Sequence, residues 1–212
     1  MMKYKLICFD MDGVIFQKKN FWMEVHGAFG TLEAGKELTK RYLHSDYDKL
    51  VEEVVVKLWK GKDAKPYYKL VDSLKYIDGA KKAVEEIKKR GYITAIISAG
   101  SIHAARRAQK DLGIDHIFAN ELVIKNNKIS GEFLWPIGAG KGKKAEIMKS
   151  LCKDLGISTK ECIYIGDSDT DIAAFKEAGL SIAFNPKSEG LEKAATHVVD
   201  SDNLAEVLKY IP

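Results

Sequence analysis

The sequence predicts an α/β protein: a Rossmann-like three-layer core built on a parallel sheet, with a small helical cap inserted after the first strand. Three observations carry this. Short apolar β-type runs alternate with amphipathic helical stretches from residue 78 to residue 184. A glycine follows nearly every helical stretch, as at Gly91, Gly113, Gly156 and Gly179. One long interval, residues 16–76, has helical spacing throughout and no β-run of its own. Strands alternating with helices imply a parallel sheet covered on both faces.

Tyr4–Phe9 reads as a buried strand that stops at Asp10-Met11-Asp12-Gly13. The cap interval places Leu50, Val54, Val55, Leu58 and Trp59 at helical spacing. Residues 1–15 and 77–212 are then the catalytic core, with 16–76 as the cap. Asp78-Gly79 opens a helix whose apolar face is Ala80, Ala83, Val84 and Ile87, and Gly91 stops it. Tyr92–Ile97 is a second strand, running into a turn at Ser98-Ala99-Gly100-Ser101, and a helix follows as far as Leu112. Asn126-Asn127 is a hairpin turn between Glu121–Ile124 and Lys128–Glu132. Lys143–Leu155 is helical, Cys162–Ile165 is a strand ending in Gly166-Asp167, and Leu180–Phe184 is the last clear strand.

The chain has 212 residues, 46% hydrophobic and 30% charged, with a net charge of +4. That is the balance of a folded domain. The lysines are spread along helical faces and form no dense basic tract with interleaved aromatics, which argues against nucleic acid as a partner. Cys8, Cys152 and Cys162 are odd in number and set among apolar residues, so buried thiols in a reducing cytoplasm are expected. The apolar run Leu6–Phe9 is too short for a signal peptide or a membrane span.

In a parallel α/β sheet ligands bind beyond the carboxyl ends of the strands. Asp10, Asp12, Ser98 and Asp167 each lie just past a strand's last apolar residue, so the fold gathers them on one rim. Crowded carboxylates need a neutralising cation, and hard oxygen donors beside a phosphate suit Mg²⁺. Two other motifs fail. The run Asp167–Asp171 resembles the start of a calcium loop, but Ile172 stands where glycine is needed and Ala178 where a bidentate glutamate belongs. The Gly138–Lys143 stretch lacks the glycine spacing and the hydroxyl of a P-loop. It is better read as a lead-in that brings a lysine to the rim.

Asp10-Met11-Asp12-Gly13-Val14, Ser98 after a strand, Lys144 opening a helix and Gly166-Asp167-x-x-x-Asp171 resemble, in order, the four motifs of the haloacid dehalogenase superfamily. Phe118-Ala119-Asn120 and Phe175–Leu180 are similar to its phosphoserine phosphatase branch. The resemblance implies a phosphatase acting on a small phosphorylated metabolite through an aspartyl phosphate. Asp10 is then the nucleophile, Asp12 the general acid and base, and Lys144 the stabiliser of developing charge. Ser98, with backbone N–H groups near Ala99 and Gly100, holds the phosphoryl oxygens. The implied Mg²⁺ site is Asp10, the Asp12 carbonyl, Asp167 and Asp171, the last by orienting a water or the lysine. A phosphotransferase or mutase on the same core, and a retired core that only binds, remain as alternatives.

The cap-side register departs from that branch. Lys19 and Asn20 stand where a glutamate meets the substrate amine, Arg41 is the cap's only arginine, and Thr170 replaces an asparagine. Glu24 and Glu33 are other possible anions. Phe16, Phe21 and Trp22 favour a less charged leaving group, so phosphoserine is not expected to be the best substrate. Phe21, Trp22 and His26 are candidate pocket residues, with a place in the cap's own core as the preferred alternative.

Overall fold

The computed structural model describes residues 3–17, 20–140 and 142–212. Its centre is β1 (Leu6–Phe9), four residues of unbroken apolar character, all buried. Such a run is at home only where both faces are covered. Parallel neighbours flank it: β2 (Ile93–Ser101) on one side and β5 (Cys162–Gly166) on the other. Beyond β2 lie β3 (His116–Lys125) and the antiparallel edge strand β4 (Lys128–Leu134); beyond β5 lie β6 (Leu180–Phe184) and β7 (His197–Val199). The seven-stranded order is β4-β3-β2-β1-β5-β6-β7. The chain therefore builds outward in one direction from β1 through β2 and β3, then in the other from β5. The crevice between β1 and β5 is the switch point where such sheets bind ligands.

Alternation along β1 divides the core in two. Ile7 and Phe9 face the side covered by α5 (Ala80–Lys89) and α6 (Ile102–Leu112), while Leu6 and Cys8 face α7 (Lys143–Asp154) and α8 (Ile172–Glu177). Helix α9 (Glu189–Ala194) joins the second face through Leu191. The expected apolar face of α5 is buried, and Gly113 closes α6 at φ 74°, a conformation favoured by the missing Cβ. All three cysteines are buried and unpaired. Among the described residues no helix is long and apolar enough to cross a membrane.

Between β1 and β2 the chain forms α1 (Phe21–Ala28), α2 (Leu32–Tyr42), α3 (Tyr47–Val51) and α4 (Lys65–Ser73). Helix α3 runs directly into a π-helical segment, Glu52–Trp59. The outgoing and returning strands lie side by side. The Gln17 N–H donates to the Lys75 carbonyl at 2.8 Å and the Ile77 N–H to the Ile15 carbonyl at 2.9 Å. Phe16 stacks on Tyr76 with ring centroids 4.7 Å apart. Phe21, Val25, Val55 and Tyr67 belong to the same continuous core as Ile7 and Phe9, so these helices are packed onto the sheet.

Three expectations are corrected. Strand β2 continues through Ser98–Ser101, because Ser98 still pairs with Ala119 and Ser101 with Asn120 across an irregularity. Small residues that read as a turn by composition are held as strand by β3. Strand β3 begins at His116, well before the apolar run at Glu121–Ile124. The three-residue β7 is too short to produce an alternating pattern. The hairpin is as expected, with Asn126 and Asn127 both at positive φ.

Gly179, between α8 and β6, donates its N–H to the Cys162 carbonyl, and a Cβ there would lie 1.9 Å from the Lys160 carbonyl oxygen. Backbone cannot swing aside as a side chain can. Gly179→Ala is expected to destabilise the fold by about 1–3 kcal/mol, read as a lower denaturation midpoint at unchanged slope. An unchanged midpoint contradicts this packing.

Candidate active site

Three carboxylates from two distant stretches of sequence meet at the crevice. Oxygens of Asp10, Asp167 and Asp171, all buried, lie within 4.8 Å of one another. Asp10 follows β1, Asp167 follows β5, and Asp171 closes the 3₁₀ turn that leads into α8. Close approach depends on absent side chains. A Cβ on Gly13 would lie 2.0 Å from Asp167 Oδ2, and one on Gly166 would lie 2.5 Å from the Asp171 carboxyl carbon. Gly13 also has φ 89°, so glycine there meets both a turn and a contact requirement.

Lys144 joins the set from the first turn of α7. Its ammonium donates to Asp10 Oδ2 at 2.6 Å and to Asp171 Oδ1 at 2.7 Å, and the side chain is 1% exposed. Burial opposes the charge, but the Asp10 and Asp171 carboxylates outweigh it and hold the ammonium pKa above its ordinary value. The neighbouring Lys143 is exposed and pairs with Glu146, whereas Lys141 lies outside the described residues. Asp171 is fully engaged: its second oxygen accepts from the backbone N–H groups of Asp167 and Ser168.

A charged residue that the sequence reading missed completes the site. Lys187, beyond the end of β6, reaches Asp167 Oδ2 at 2.5 Å, and its own N–H donates to the Asp167 carbonyl. The strand-end rule that found Asp10 and Asp167 also applies to the Phe184–Lys187 stretch, but no pattern there marked one lysine among many. The other oxygen, Asp167 Oδ1, is buried and has no hydrogen-bond partner among the described residues. Counted as ionised, the three converging carboxylates Asp10, Asp167 and Asp171 outnumber Lys144 and Lys187 by one charge. A buried carboxylate oxygen facing no donor and an excess of negative charge fit a divalent cation with oxygen ligands.

Asp12 stands apart from the acidic cluster. Its carboxylate is not one of the three that converge, so any metal contact it makes falls to its carbonyl. Burial, and then the Asp10 charge, raise its pKa to about 7. Asp167 is likewise raised to about 6, first by burial and then by Asp10, with Lys187 opposing. Ser98 is buried, its hydroxyl accepting from the Gly100 N–H at 3.1 Å. A Cβ on Gly100 would meet Asp12 Oδ2 at 2.9 Å, so bare backbone keeps this wall open. Asn120 fastens the wall from behind, donating to the carbonyls of Ala99 and Gly138 and accepting from the N–H groups of Ile137 and Gly138. One buried amide thus ties the Ser98 loop to the lead-in of α7.

These groups open on a cavity of ≈ 320 Å³, with Asn20, Phe21 and Trp22 on its helical side. The Trp22 indole N–H donates to the Ala99 carbonyl at 2.9 Å, a direct tie between α1 and the Ser98 loop. Arg41, Glu24 and Glu33 are exposed and do not line this cavity, and Lys19 lies outside the described residues. Phe16 is buried against Tyr76 and does not line it either. His26 is buried inside the helical segment, with Nδ1 on the Thr31 hydroxyl at 2.8 Å.

The family model for haloacid dehalogenase-like hydrolases matches residues 4–179. The chain belongs to that family. Among curated relatives of this haloacid dehalogenase-like hydrolase, the phosphoserine phosphatase of Methanocaldococcus jannaschii is 33% identical, over 99% of this chain and 98% of its own. That of Wolinella succinogenes is 29% identical over 98% and 100%. A solved phosphoserine phosphatase carrying a phospho-aspartyl intermediate analogue superposes with a TM-score of 0.84 at 30% identity, over the full length of both chains. A substrate-bound phosphoserine phosphatase complex matches equally well.

The raised pKa of Asp12 fixes the sign of a pH effect. Between the unfolded value of 3.8 and about 7 the folded protein binds more protons at Asp12 than the unfolded chain does. The associated stability is present below 3.8 and is lost as pH rises through 7. Asp12→Asn removes the effect. In chelator, the Tm of the Asp12→Asn variant should therefore exceed wild type by a margin that grows by several degrees between pH 5 and pH 8. A margin independent of pH contradicts the burial of this carboxyl. Separately, Gly13→Ala should abolish activity, because its methyl group occupies the place of the Asp167 carboxylate.

Proposed function

We propose that this hydrolase cleaves phosphomonoesters of small metabolites by way of a phosphoryl group carried on Asp10, in a magnesium-dependent reaction. The observation that carries the reading is the Asp10–Lys144–Asp171 bridge, set beside Asp12 and the Ser98 loop. An Asp10 oxygen attacks phosphorus in line with the ester oxygen, the bond to the leaving alcohol breaks, and Asp12 delivers its proton to that alcohol. Asp12, now a carboxylate, takes a proton from water as the water oxygen attacks phosphorus. The Asp10–phosphorus bond breaks, phosphate leaves, and both carboxyls return to their starting states. A raised Asp12 pKa suits this double role, since a proton donor works best near the operating pH.

Lys144 neutralises Asp10 so that an anion can approach an anion, and it then faces the charge on the transferring group. The Ser98 hydroxyl and the backbone at Ala99 and Gly100 orient the phosphoryl oxygens, with Asn120 holding that loop in place. Asp10, Asp167 and the Asp12 carbonyl are the proposed ligands for Mg²⁺. When bound, the ion supplies compensating positive charge to the phosphoryl oxygens. Residues 16–76 act as a cap over the cavity, and the site works in a soluble protein of the cytoplasm.

The shared name of the relatives supports phosphoserine as a substrate, although Lys19, Asn20 and Arg41 weighed against it. Intact Asp10, Asp12, Lys144 and Asp167, together with phosphatase relatives, favour hydrolysis over transfer to a second acceptor or mere binding.

The test is phosphate release from a panel of phosphoserine, sugar phosphates and phosphoglycolate. Turnover of phosphoserine should vanish in EDTA, return with Mg²⁺ and fall when excess Ca²⁺ is added, since calcium takes more and looser ligands. Asp10→Asn should lower kcat by roughly 10³ or more, and acid-quenched wild type should carry labelled phosphate on Asp10. Full turnover in chelator, or label on another residue, overturns the mechanism.

A further inference from the structure

We propose that the helical cap contains a second, apolar subsite, which admits phosphomonoesters whose alcohol carries an uncharged aliphatic or aromatic body. The subsite is a cavity of ≈ 120 Å³ enclosed by α1, α2, α3 and the π-helical segment, and bounded by Phe133 of β4. The proposal rests on the phosphomonoesterase reading, because the cavity adjoins the phosphoryl site. Asn20 and Trp22 line both. Trp22 is thus the wall that a leaving group on a phosphate beside Asp10 shares with the cavity.

The ring N–H and nitrogen groups of Trp22, Trp59 and His26 in the wall are committed elsewhere. The Trp22 N–H is held by the Ala99 carbonyl, and the Trp59 N–H by the Thr31 hydroxyl at 3.1 Å. That hydroxyl also pairs with His26 Nδ1, and burial lowers the His26 pKa to about 4, which leaves the ring neutral at pH 7. Apart from Asn20, His26, Thr39 and Tyr47, what lines the cavity is indole, phenyl, thioether and branched aliphatic surface. Among the described residues this wall offers no anion for an ammonium group and no cation for a carboxylate, so it selects for uncharged surface. Its volume is of the order of a cavity that holds a benzene ring.

The π-helix supports a built site and not a packing gap. Residues five apart fall on different sides of an α-helix with 3.6 residues per turn. Winding Glu52–Trp59 with a wider repeat brings Val54 and Trp59 into the same wall. Departures of this kind from α-helical winding are found most often where function requires them.

Binding is tested with non-hydrolysable phosphonates in the full-length protein with Mg²⁺, by calorimetry and by the fluorescence of Trp22 and Trp59. Burying a phenyl group should make 2-phenylethylphosphonate bind about tenfold tighter than ethylphosphonate. Leu43→Trp and, separately, Val51→Phe fill the cavity from its far side, away from the catalytic groups. Each should abolish that preference and leave ethylphosphonate affinity and phosphoserine turnover within about twofold of wild type. Correspondingly, wild type should hydrolyse 2-phenylethyl phosphate with a higher kcat/KM than ethyl phosphate. Equal affinity of wild type for the two phosphonates, or a preference that survives in both folded variants, overturns the subsite. A preference that is intact while no phosphomonoester is hydrolysed supports the subsite and overturns the phosphatase reading instead.

Discussion

Everything at the rim of this sheet is arranged around one buried ammonium group. Lys144 is almost completely removed from water and sits between Asp10 and Asp171, a geometry that burial alone would make unfavourable. Taking an ammonium and two carboxylates out of water costs several kcal/mol per ion. The arrangement persists because the remaining valences are also met. Asp10 accepts the Met11 N–H, and Asp171 accepts two further backbone N–H groups. Breaking any one contact strands a charge, which ties the start of α7, the end of β1 and the turn before α8 into a single unit. In the proposed reaction the same neutralisation would let a carboxylate act on a phosphate ester, so stability of the site and that chemistry share a cause.

The second constraint is crowding. Three aspartates meet because the backbone between them is bare at Gly13 and Gly166, and because β1 lies directly between β2 and β5. Lys187 and the orphaned oxygen of Asp167 mark where the charge balance is incomplete. A site with an excess of negative charge, and with one oxygen facing no donor among the described residues, is stable in water only as a compromise. A divalent cation relieves it, while burial, reinforced by the Asp10 charge, makes the carboxyl groups of Asp12 and Asp167 hold their protons to higher pH.

The helices over the site are coupled to it physically. Their apolar residues join the core that packs on β1, and the Trp22 indole is hydrogen-bonded to the Ala99 carbonyl, next to Ser98. Discrimination between leaving groups therefore depends on a wall that is structurally continuous with the catalytic loop. Changes in the cap reach the Ser98 loop through a single hydrogen bond and the aromatic packing behind it.

Local rules were enough to read the alternation of strands and helices, the glycine stops, the Asn126-Asn127 turn and the strand-end aspartates. Periodicity, positive φ and turn chemistry act over a few residues and leave their mark in sequence. Lys144 could be singled out from Lys141 and Lys143 only by its likeness to a family's helix register, since composition around the three is the same. What chooses Lys144 physically is its contact with Asp10, 134 positions away. Lys187, the Asn120 clasp and the continuation of β2 through Ser101 were likewise decided by partners on other strands. The π-helical winding and the neutral aromatic wall belong to this second group as well. Neither follows from helical spacing alone, because both depend on how α1, α2 and β4 close around the segment after α3. Sequence alone determined a parallel sheet with an acidic rim at its strand ends; only the tertiary structure decided the strand order, which lysines reach that rim and how the helices of residues 20–76 line the cavity, because those outcomes rest on contacts between segments with no local signature.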